Sequence, residues 1–237
     1  MNSSKQDVLV SGKTSFKIEV PYELIEVGSK GDKKPLIIYL HGFGQNNKLF
    51  KKLCKPLIKI PAYHLFIQGP YPLYDKKGNK NVSDWGRAWY LYDGNRGQFI
   101  KSLEISSEFV QEIVDKLLTH INVSRICLFG YSMGGYLAGY FSLTRWKHVN
   151  ELIVVGARIK TEVLNNNWDN IQHLQILALH GKNDKSVDYE PQNDEINLLR
   201  NHNVKSDFVL VQAGHKLEKT YFDEILNWLE KRGYYHL

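Results

Sequence analysis

Apolar and polar residues follow two different periods along this chain, and their order predicts its secondary structure. Seven short, mostly apolar runs are typical of strands: 15–20, 35–42, 62–69, 124–130, 151–156, 175–181 and 207–212. Three longer segments carry apolar residues at steps of three or four, which predicts amphipathic helices: 103–121, 190–202 and 217–233. Because strands and helices alternate, we expect an α/β fold whose central sheet is mostly parallel, with helices on both faces.

Residues 70–100 interrupt this alternation. The segment is long and rich in aromatic residues and turn formers, and it follows neither period. Long ordered loops in such a fold are often functional, so we expect this loop to lie near the active site. The total length of 237 residues predicts a single domain that covers residues 1–237.

The composition is that of a globular soluble protein, with 43% hydrophobic and 24% charged residues. No run approaches the ~18 consecutive apolar residues of a membrane span, so we expect no stable membrane insertion. The first ten residues lack the basic and apolar regions of a secretory signal, which predicts a cytoplasmic protein. Cys54 and Cys127 are too few for a disulfide framework, and the sequence has no spaced Cys/His cluster that predicts a metal site.

The net charge of +6 raises the question of an acidic partner. The lysines are scattered, which argues against nucleic acid, but residues 46–60 combine five lysines with apolar residues at helical spacing. Such a basic amphipathic helix is either a solvated outer face or a surface that rests on an anionic membrane. Pro56 argues against one continuous helix here.

The motif Gly130-Tyr131-Ser132-Met133-Gly134 stands where a predicted strand gives way to a helical pattern. The pattern G-x-S-x-G at such a junction is typical of a nucleophile elbow, in which a strained backbone projects the serine hydroxyl above the sheet. A side chain two residues before or after the serine would collide with neighbouring backbone, and glycine removes that collision. The simpler alternative is a tight glycine turn with an incidental serine.

A nucleophilic serine needs a base and a group that orients the base. In folds with this motif the chain order is serine, then an acid, then histidine. His215 follows a predicted strand and precedes the last helix, which is where ligand and catalytic groups gather in open α/β sheets. We expect Asp184 to be the acid, because it lies four residues past a strand end, with Asp188 and Asp194 as the other candidates. His180 ends a strand, and we expect it to be structural.

An oxyanion hole needs two N–H donors that point at the developing charge. We expect one from the backbone of Met133, directly after the serine, and the other from the backbone of Phe43, in the glycine-rich loop after the second predicted strand. His41 lies at the start of that loop. We expect it to brace the loop, and the alternative role is that of a base.

Six motifs, in this order, resemble the phospholipase/carboxylesterase family of α/β-hydrolases, and within it the acyl-protein thioesterase-like esterases. They are LHGFG (40–44), GPYP (69–72), GRAWY (86–90), GYSMGG (130–135), HGKNDKSV (180–187) and AGH (213–215). The resemblance implies the α/β-hydrolase fold and a cofactor-free serine hydrolase acting on carboxylic esters or thioesters. It also implies Ser132 as nucleophile, Asp184 as acid and His215 as base. The family often has glutamine directly after its nucleophile, where this chain has Met133.

The expected partner is a small-molecule ester or acyl substrate. Apolar walls with a few polar groups suit an acyl chain, so we expect Trp89 and Tyr90, in the GRAWY motif, to contact substrate; alternatively, the aromatic residues only hold the long loop against the body. Two other functions compete with this prediction: another serine hydrolase such as a peptidase, and a non-catalytic protein of the same fold. Lysophospholipids are a further possible substrate class. The sequence predicts neither the acyl chain length, nor whether the leaving group is an alcohol, a lysolipid or a protein thiol, nor the oligomeric state.

Overall fold

The computed structural model describes residues 10–12, 14, 17–75 and 78–235. The strands in this part of the chain are β1 (Tyr22–Glu26), β2 (Lys34–Leu40), β3 (Tyr63–Ile67), β4 (Tyr71–Pro72), β5 (Arg87–Ala88), β6 (Val123–Tyr131), β7 (Glu151–Val155), β8 (Gln175–Gly181) and β9 (Lys205–Val211). The α-helices are α1 (Asn47–Leu53), α2 (Arg96–Leu118), α3 (Met133–Thr144), α4 (Glu190–Asn201) and α5 (Lys219–Glu230).

Seven strands form the central sheet in the order β1-β3-β2-β6-β7-β8-β9. β1 pairs with β3 in the antiparallel direction, and every other pair in this sheet is parallel. The carboxyl ends of β2 and β6 to β9 therefore meet at one edge of the sheet. Ligands bind at this edge in open α/β sheets.

Helices cover both faces of the sheet, as β2 illustrates. Side chains alternate between the faces of a strand. Leu36, Ile38 and Leu40 lie in an apolar core with residues of α2, α3 and α4, whereas Ile37 and Tyr39 lie in a second core with residues of α1 and α5. This double coverage explains the continuous apolar runs in the sequence. The predicted fold class is confirmed.

Six of the seven predicted strands are confirmed, as β2, β3 and β6 to β9, and so are the three predicted helices, as α2, α4 and α5. The predicted strand at 15–20 is wrong for the described residues 17–20, which form no strand; residues 15 and 16 lie outside the described part. The edge position beside β3 is taken by β1 instead, which begins directly after Pro21. Ile18, an apolar residue of the alternating pattern that predicted this strand, is 49% exposed and is not buried in a core.

Two further boundaries differ from the sequence expectations. Helix α2 begins at Arg96, seven residues before the predicted start, because the side chain of Asn95 caps it by accepting a hydrogen bond from the N–H of Gln98 at 3.0 Å. The basic segment 46–60 is not one helix: α1 ends at Leu53, and a short 3₁₀ turn follows Pro56. The predicted long loop therefore covers residues 70–95, and it contains the paired strands β4 and β5.

No helix in the described part of the chain is long and apolar enough to cross a membrane. Within the same residues, no group of three or more His, Cys, Asp or Glu side chains could hold a metal ion. Cys54 and Cys127 are buried free thiols. Residues 1–9, on which the expectation about a secretory signal rests, lie outside the described part.

Candidate active site

Ser132 occupies a sharp turn between β6 and α3. Its φ of 52° and ψ of −119° are strained for a residue with a side chain. The turn is held from both sides: the N–H of Ser132 donates to the carbonyl of Val155 at 2.8 Å, and the carbonyl of Ser132 accepts from the N–H of Gly135 at 2.8 Å. This geometry is that of the predicted elbow.

The glycines beside Ser132 allow α3 to pack very closely against the sheet. A Cβ on Gly130 would lie 2.6 Å from the Cβ of Ala138, and a Cβ on Gly134 would lie 2.6 Å from the carbonyl oxygen of His41. Real Cβ atoms essentially never approach other atoms so closely. The collision expected from the motif is therefore present at both positions.

We expect Gly134→Ala to lower the free energy of unfolding by at least about 3 kcal/mol, since the added Cβ would overlap the backbone of Leu40 and His41. Urea unfolding followed by circular dichroism measures this. Gly139→Ala is the matched control in the same helix, because its Cβ would have no neighbour closer than the Cα of Ile159 at 3.4 Å. We expect it to stay within about 1 kcal/mol of the wild type, and equal losses in the two variants would contradict the packing argument.

Ser132, His215 and Asp184 form one line of hydrogen bonds. The Oγ of Ser132 lies 2.9 Å from Nε2 of His215, and Nδ1 of His215 lies 2.6 Å from Oδ2 of Asp184. The three residues follow the carboxyl ends of β6, β9 and β8, so the parallel sheet brings together positions far apart in sequence. With its Nδ1 proton donated to the carboxylate, His215 presents the lone pair of Nε2 to the serine hydroxyl.

The Asp184 carboxylate is nearly inaccessible, with a side chain 1% exposed. Its Oδ1 accepts hydrogen bonds from the N–H groups of Ser186 at 2.8 Å and Val187 at 3.0 Å. Burial raises the pKa of Asp184, but the hydrogen bonds from His215 and from these two N–H groups outweigh burial and hold the pKa below its ordinary value. The carboxylate is therefore ionised at neutral pH and accepts the hydrogen on Nδ1 of His215.

The two other predicted acid candidates lie elsewhere. Asp188 is exposed, and its Oδ1 accepts from the N–H of Glu190 at 3.1 Å at the start of α4. Asp194 is exposed within α4 itself. Neither contacts His215 among the hydrogen bonds of the described residues, so the structure favours Asp184.

Two tyrosines that the sequence analysis did not single out hold the His215 loop. The hydroxyl of Tyr131 donates to the carbonyl of His215 at 2.9 Å, and the hydroxyl of Tyr221 donates to the carbonyl of Gly214 at 2.6 Å. Tyr131 is the variable second residue of the G-x-S-x-G motif, and Tyr221 lies in α5. Their roles depend on the folded sheet, and no spacing in the sequence signals them.

The predicted oxyanion-hole donors lie on two fixed backbones. Met133 is the first residue of α3, where backbone N–H groups have no acceptor within the helix. The loop around Phe43 is held by β5, since the N–H of Gly44 donates to the carbonyl of Arg87 at 3.0 Å and the N–H of Arg87 donates to the carbonyl of Gln45 at 2.8 Å. Phe43 itself is 62% exposed, and its role as an oxyanion donor stays a prediction.

His41 links two loops through its ring. Its Nδ1–H donates to the carbonyl of Gly42 at 2.8 Å, and its Nε2 accepts from the N–H of Gly69 at 3.0 Å. Burial lowers the pKa of His41 to about 4, so the ring is neutral at pH 7. With both nitrogens engaged, His41 braces the loop as expected and is not available as a base.

Trp89 and Tyr90, the residues predicted to contact substrate, occupy different environments. Trp89 is fully buried: its indole N–H donates to the carbonyl of His41 at 2.8 Å, and its backbone N–H lies 3.5 Å from Sδ of Met133. With no exposed surface, its ring packs between the His41 loop and Met133 and is not available to contact substrate. Tyr90 is 6% exposed and borders a cavity of about 360 Å³.

Solved structures with similar folds include several esterases. A carboxylesterase from Mesorhizobium loti matches with a TM-score of 0.71 and 18% identity over 89% of this chain and 94% of its own. Acyl-protein thioesterase 2 from Zea mays matches with a TM-score of 0.67 and 17% identity over 89% of this chain and 98% of its own. The carboxylesterase from Bacillus cereus matches with a TM-score of 0.68 and 16% identity over 90% of this chain and 94% of its own.

These likenesses are at low identity and establish the fold. A search among curated proteins finds no match. The sequence model of the phospholipase/carboxylesterase family matches residues 22–232, which is most of the chain. The protein therefore belongs to the phospholipase/carboxylesterase family of α/β-hydrolases.

Proposed function

We propose that this protein is a serine hydrolase that cleaves carboxylic esters or thioesters through an acyl-enzyme intermediate. The observation that carries the proposal is the continuous line of hydrogen bonds from Ser132 through His215 to Asp184. Family membership supports hydrolysis of an ester bond, and the likeness to the Zea mays acyl-protein thioesterase supports including thioesters.

In the first half-reaction, the Oγ of Ser132 attacks the carbonyl carbon of the substrate while Nε2 of His215 takes the hydroxyl proton. The ionised Asp184 stabilises the resulting imidazolium through Nδ1–H. The carbonyl electrons move onto oxygen, and the N–H groups of Phe43 and Met133 donate to that oxyanion. One such donor typically contributes about 3–4 kcal/mol to transition-state stabilisation.

Collapse of this intermediate breaks the bond to the leaving group and forms the acyl-enzyme on Ser132. The departing alcohol or thiol takes the proton from Nε2 of His215. Water then attacks the acyl carbon, again giving its proton to His215, and the second collapse returns the proton to Ser132 and releases the carboxylic acid. No cofactor takes part in either half of this scheme.

A fluorophosphonate probe tests the nucleophile directly, because it phosphonylates an activated serine. We expect one phosphonyl group per chain by intact mass, located on Ser132 by peptide mass spectrometry. Ser132→Ala abolishes labelling, whereas Ser186→Ala retains it, since Ser186 contributes only its backbone N–H to Asp184.

Absence of labelling in the wild type would support a non-catalytic protein of this fold. Labelling at another serine would show that the nucleophile is misassigned. Hydrolysis of peptide bonds in preference to esters would point instead to a peptidase.

A further inference from the structure

A cavity of about 360 Å³ lies one helical turn along α3 from Ser132. Tyr136 lines it, and the backbone N–H of Tyr136 donates to the carbonyl of Ser132 at 3.2 Å. Tyr90, Tyr92 and Phe99 complete its aromatic wall, and the ring centroids of Tyr90 and Tyr92 lie 5.0 Å and 5.1 Å from that of Phe99. This wall would accommodate hydrocarbon, and Tyr136 joins it to the first turn of α3, which begins directly after Ser132.

The other lining side chains of this cavity include three cations, Arg96, Arg158 and Lys160. The Lys160 side chain is only 14% exposed, and its Nζ lies 5.1 Å from the centroid of the Phe99 ring. A mostly buried ammonium group is costly unless it is compensated by negative charge or hydrogen bonds. Lys160 therefore requires a compensating partner, whereas Arg96 is an exposed residue at the rim of the same cavity.

The carboxylates near these cations compensate them only in part. Arg158 pairs with Glu162 at 2.7 Å and with Glu195. Lys160 shares the same Oε1 of Glu162, at the longer distance of 3.4 Å. None of the ion pairs among the described residues includes Arg96. The three cations of the cavity therefore share two paired carboxylates, those of Glu162 and Glu195.

The electrostatics of Lys160 agree with this surplus. Burial lowers the pKa of Lys160 below its ordinary value, and the charges of Arg158 and Arg96 lower it further against the opposing effect of Glu162. An anion bound beside the Lys160 ammonium would raise the pKa of Lys160 again, because it would favour the protonated form.

We propose that this cavity binds an anionic group of the substrate, a carboxylate or a phosphate, between Arg96 and Lys160, and that the enzyme therefore selects esters or thioesters carrying such a group a few bonds from the scissile carbonyl. The inference rests on the proposed function, and it adds the substrate class. Arg96 supplies a positive charge that no ion pair compensates, and Lys160 supplies a positive charge that is partly desolvated. The aromatic wall packs against the spacer that joins the anion to the carbonyl.

Two matched substrate pairs test this selectivity and separate the two sources of the anion. Mono-4-nitrophenyl glutarate is compared with its neutral isostere 4-nitrophenyl 5-methylhexanoate, after subtraction of spontaneous hydrolysis. 1-Butyrylglycerol 3-phosphate is compared with 1-butyrylglycerol. We expect kcat/KM to favour the anionic member of at least one pair by about tenfold, consistent with one charge-assisted contact in a partly buried site. A preference in the first pair identifies a carboxylate on the acyl side, and one in the second identifies a phosphate on the leaving group.

The variant Arg96→Gln tests whether this preference arises from binding in the cavity. We expect the anionic-to-neutral ratio of kcat/KM to fall about fivefold in this variant, and the wild-type ratio to fall as sodium chloride is added. Lys101→Gln is the matched control, because Lys101 is an exposed residue of the same helix that does not line the cavity; its ratio should equal that of the wild type.

Equal kcat/KM within both pairs, from an enzyme that hydrolyses the neutral esters, would overturn this inference and leave the proposed function intact. A preference that Arg96→Gln leaves unchanged would also overturn it, since the anion would then bind elsewhere. Failure to hydrolyse any of the four substrates, with no fluorophosphonate labelling, would remove the proposed function and the inference with it.

Discussion

Ser132→Ala is expected to lower kcat for ester hydrolysis by about a million-fold, because the members of a serine-histidine-acid system act as a unit and none of its steps proceeds without the nucleophile. Steady-state hydrolysis of 4-nitrophenyl butyrate measures the loss, with circular dichroism to confirm that the variant is folded. Retention of more than about a thousandth of the wild-type rate would contradict the assignment of Ser132 as nucleophile.

A second replacement at the same position separates chemistry from backbone strain. Ser132→Gly should be as inactive as Ser132→Ala. Its free energy of unfolding should be about 1–2 kcal/mol higher than that of Ser132→Ala, because glycine adopts the φ of 52° without the cost that a Cβ imposes. Equal stability of the two variants would indicate that the elbow stores little strain.

Asp184→Asn is expected to lower kcat about ten-thousand-fold while the fold remains intact. The structure dictates how the new amide would sit. Two backbone N–H groups, from Ser186 and Val187, point at Oδ1, so the amide oxygen must remain there and the NH₂ group must face His215. The imidazole would then accept at Nδ1 and carry its proton on Nε2, where it could not take the proton of Ser132.

Asp188→Asn is the matched control for this experiment, since it makes the same change four residues away in an exposed carboxylate. We expect its kcat to remain within about twofold of the wild type, because exposed positions away from a site rarely matter. The opposite ranking of the two variants, measured with the same ester, would transfer the role of acid to Asp188.

Much of the fold could be predicted from the sequence, because strands buried on both faces leave continuous apolar runs that few other structures produce. The same logic placed Ser132, Asp184 and His215 after strand ends, and the structure brings them within hydrogen-bond distance. Their catalytic roles stay predictions until the variants are measured. The extent of a single domain over residues 1–237 and the cytoplasmic location also stay predictions.

Other features depend on tertiary packing and leave no local signal. β1 was missed because an edge strand is only half buried, and its apolar residues are few. The complete burial of Trp89 could not be told from exposure at a pocket wall, since both suit an aromatic residue in a long loop. The cations of the cavity, Arg96, Arg158 and Lys160, come from two segments far apart in sequence, so no single stretch shows that they share one cavity.

The two hydrogen bonds of the His41 ring should make the loop of residues 41–44, which carries one predicted oxyanion donor, sensitive to acid. A protonated ring would present a second N–H to the N–H of Gly69, and this contact would be repulsive. Because the pKa of His41 is about 4 in the folded protein and 6.5 ordinarily, the unfolded chain binds this proton more tightly. The contribution of His41 to stability is therefore complete above pH 6.5 and declines as the pH falls toward 4. The pKa of Asp184 lies below its ordinary value of 3.8. Acid should therefore loosen the 41–44 loop before it protonates Asp184.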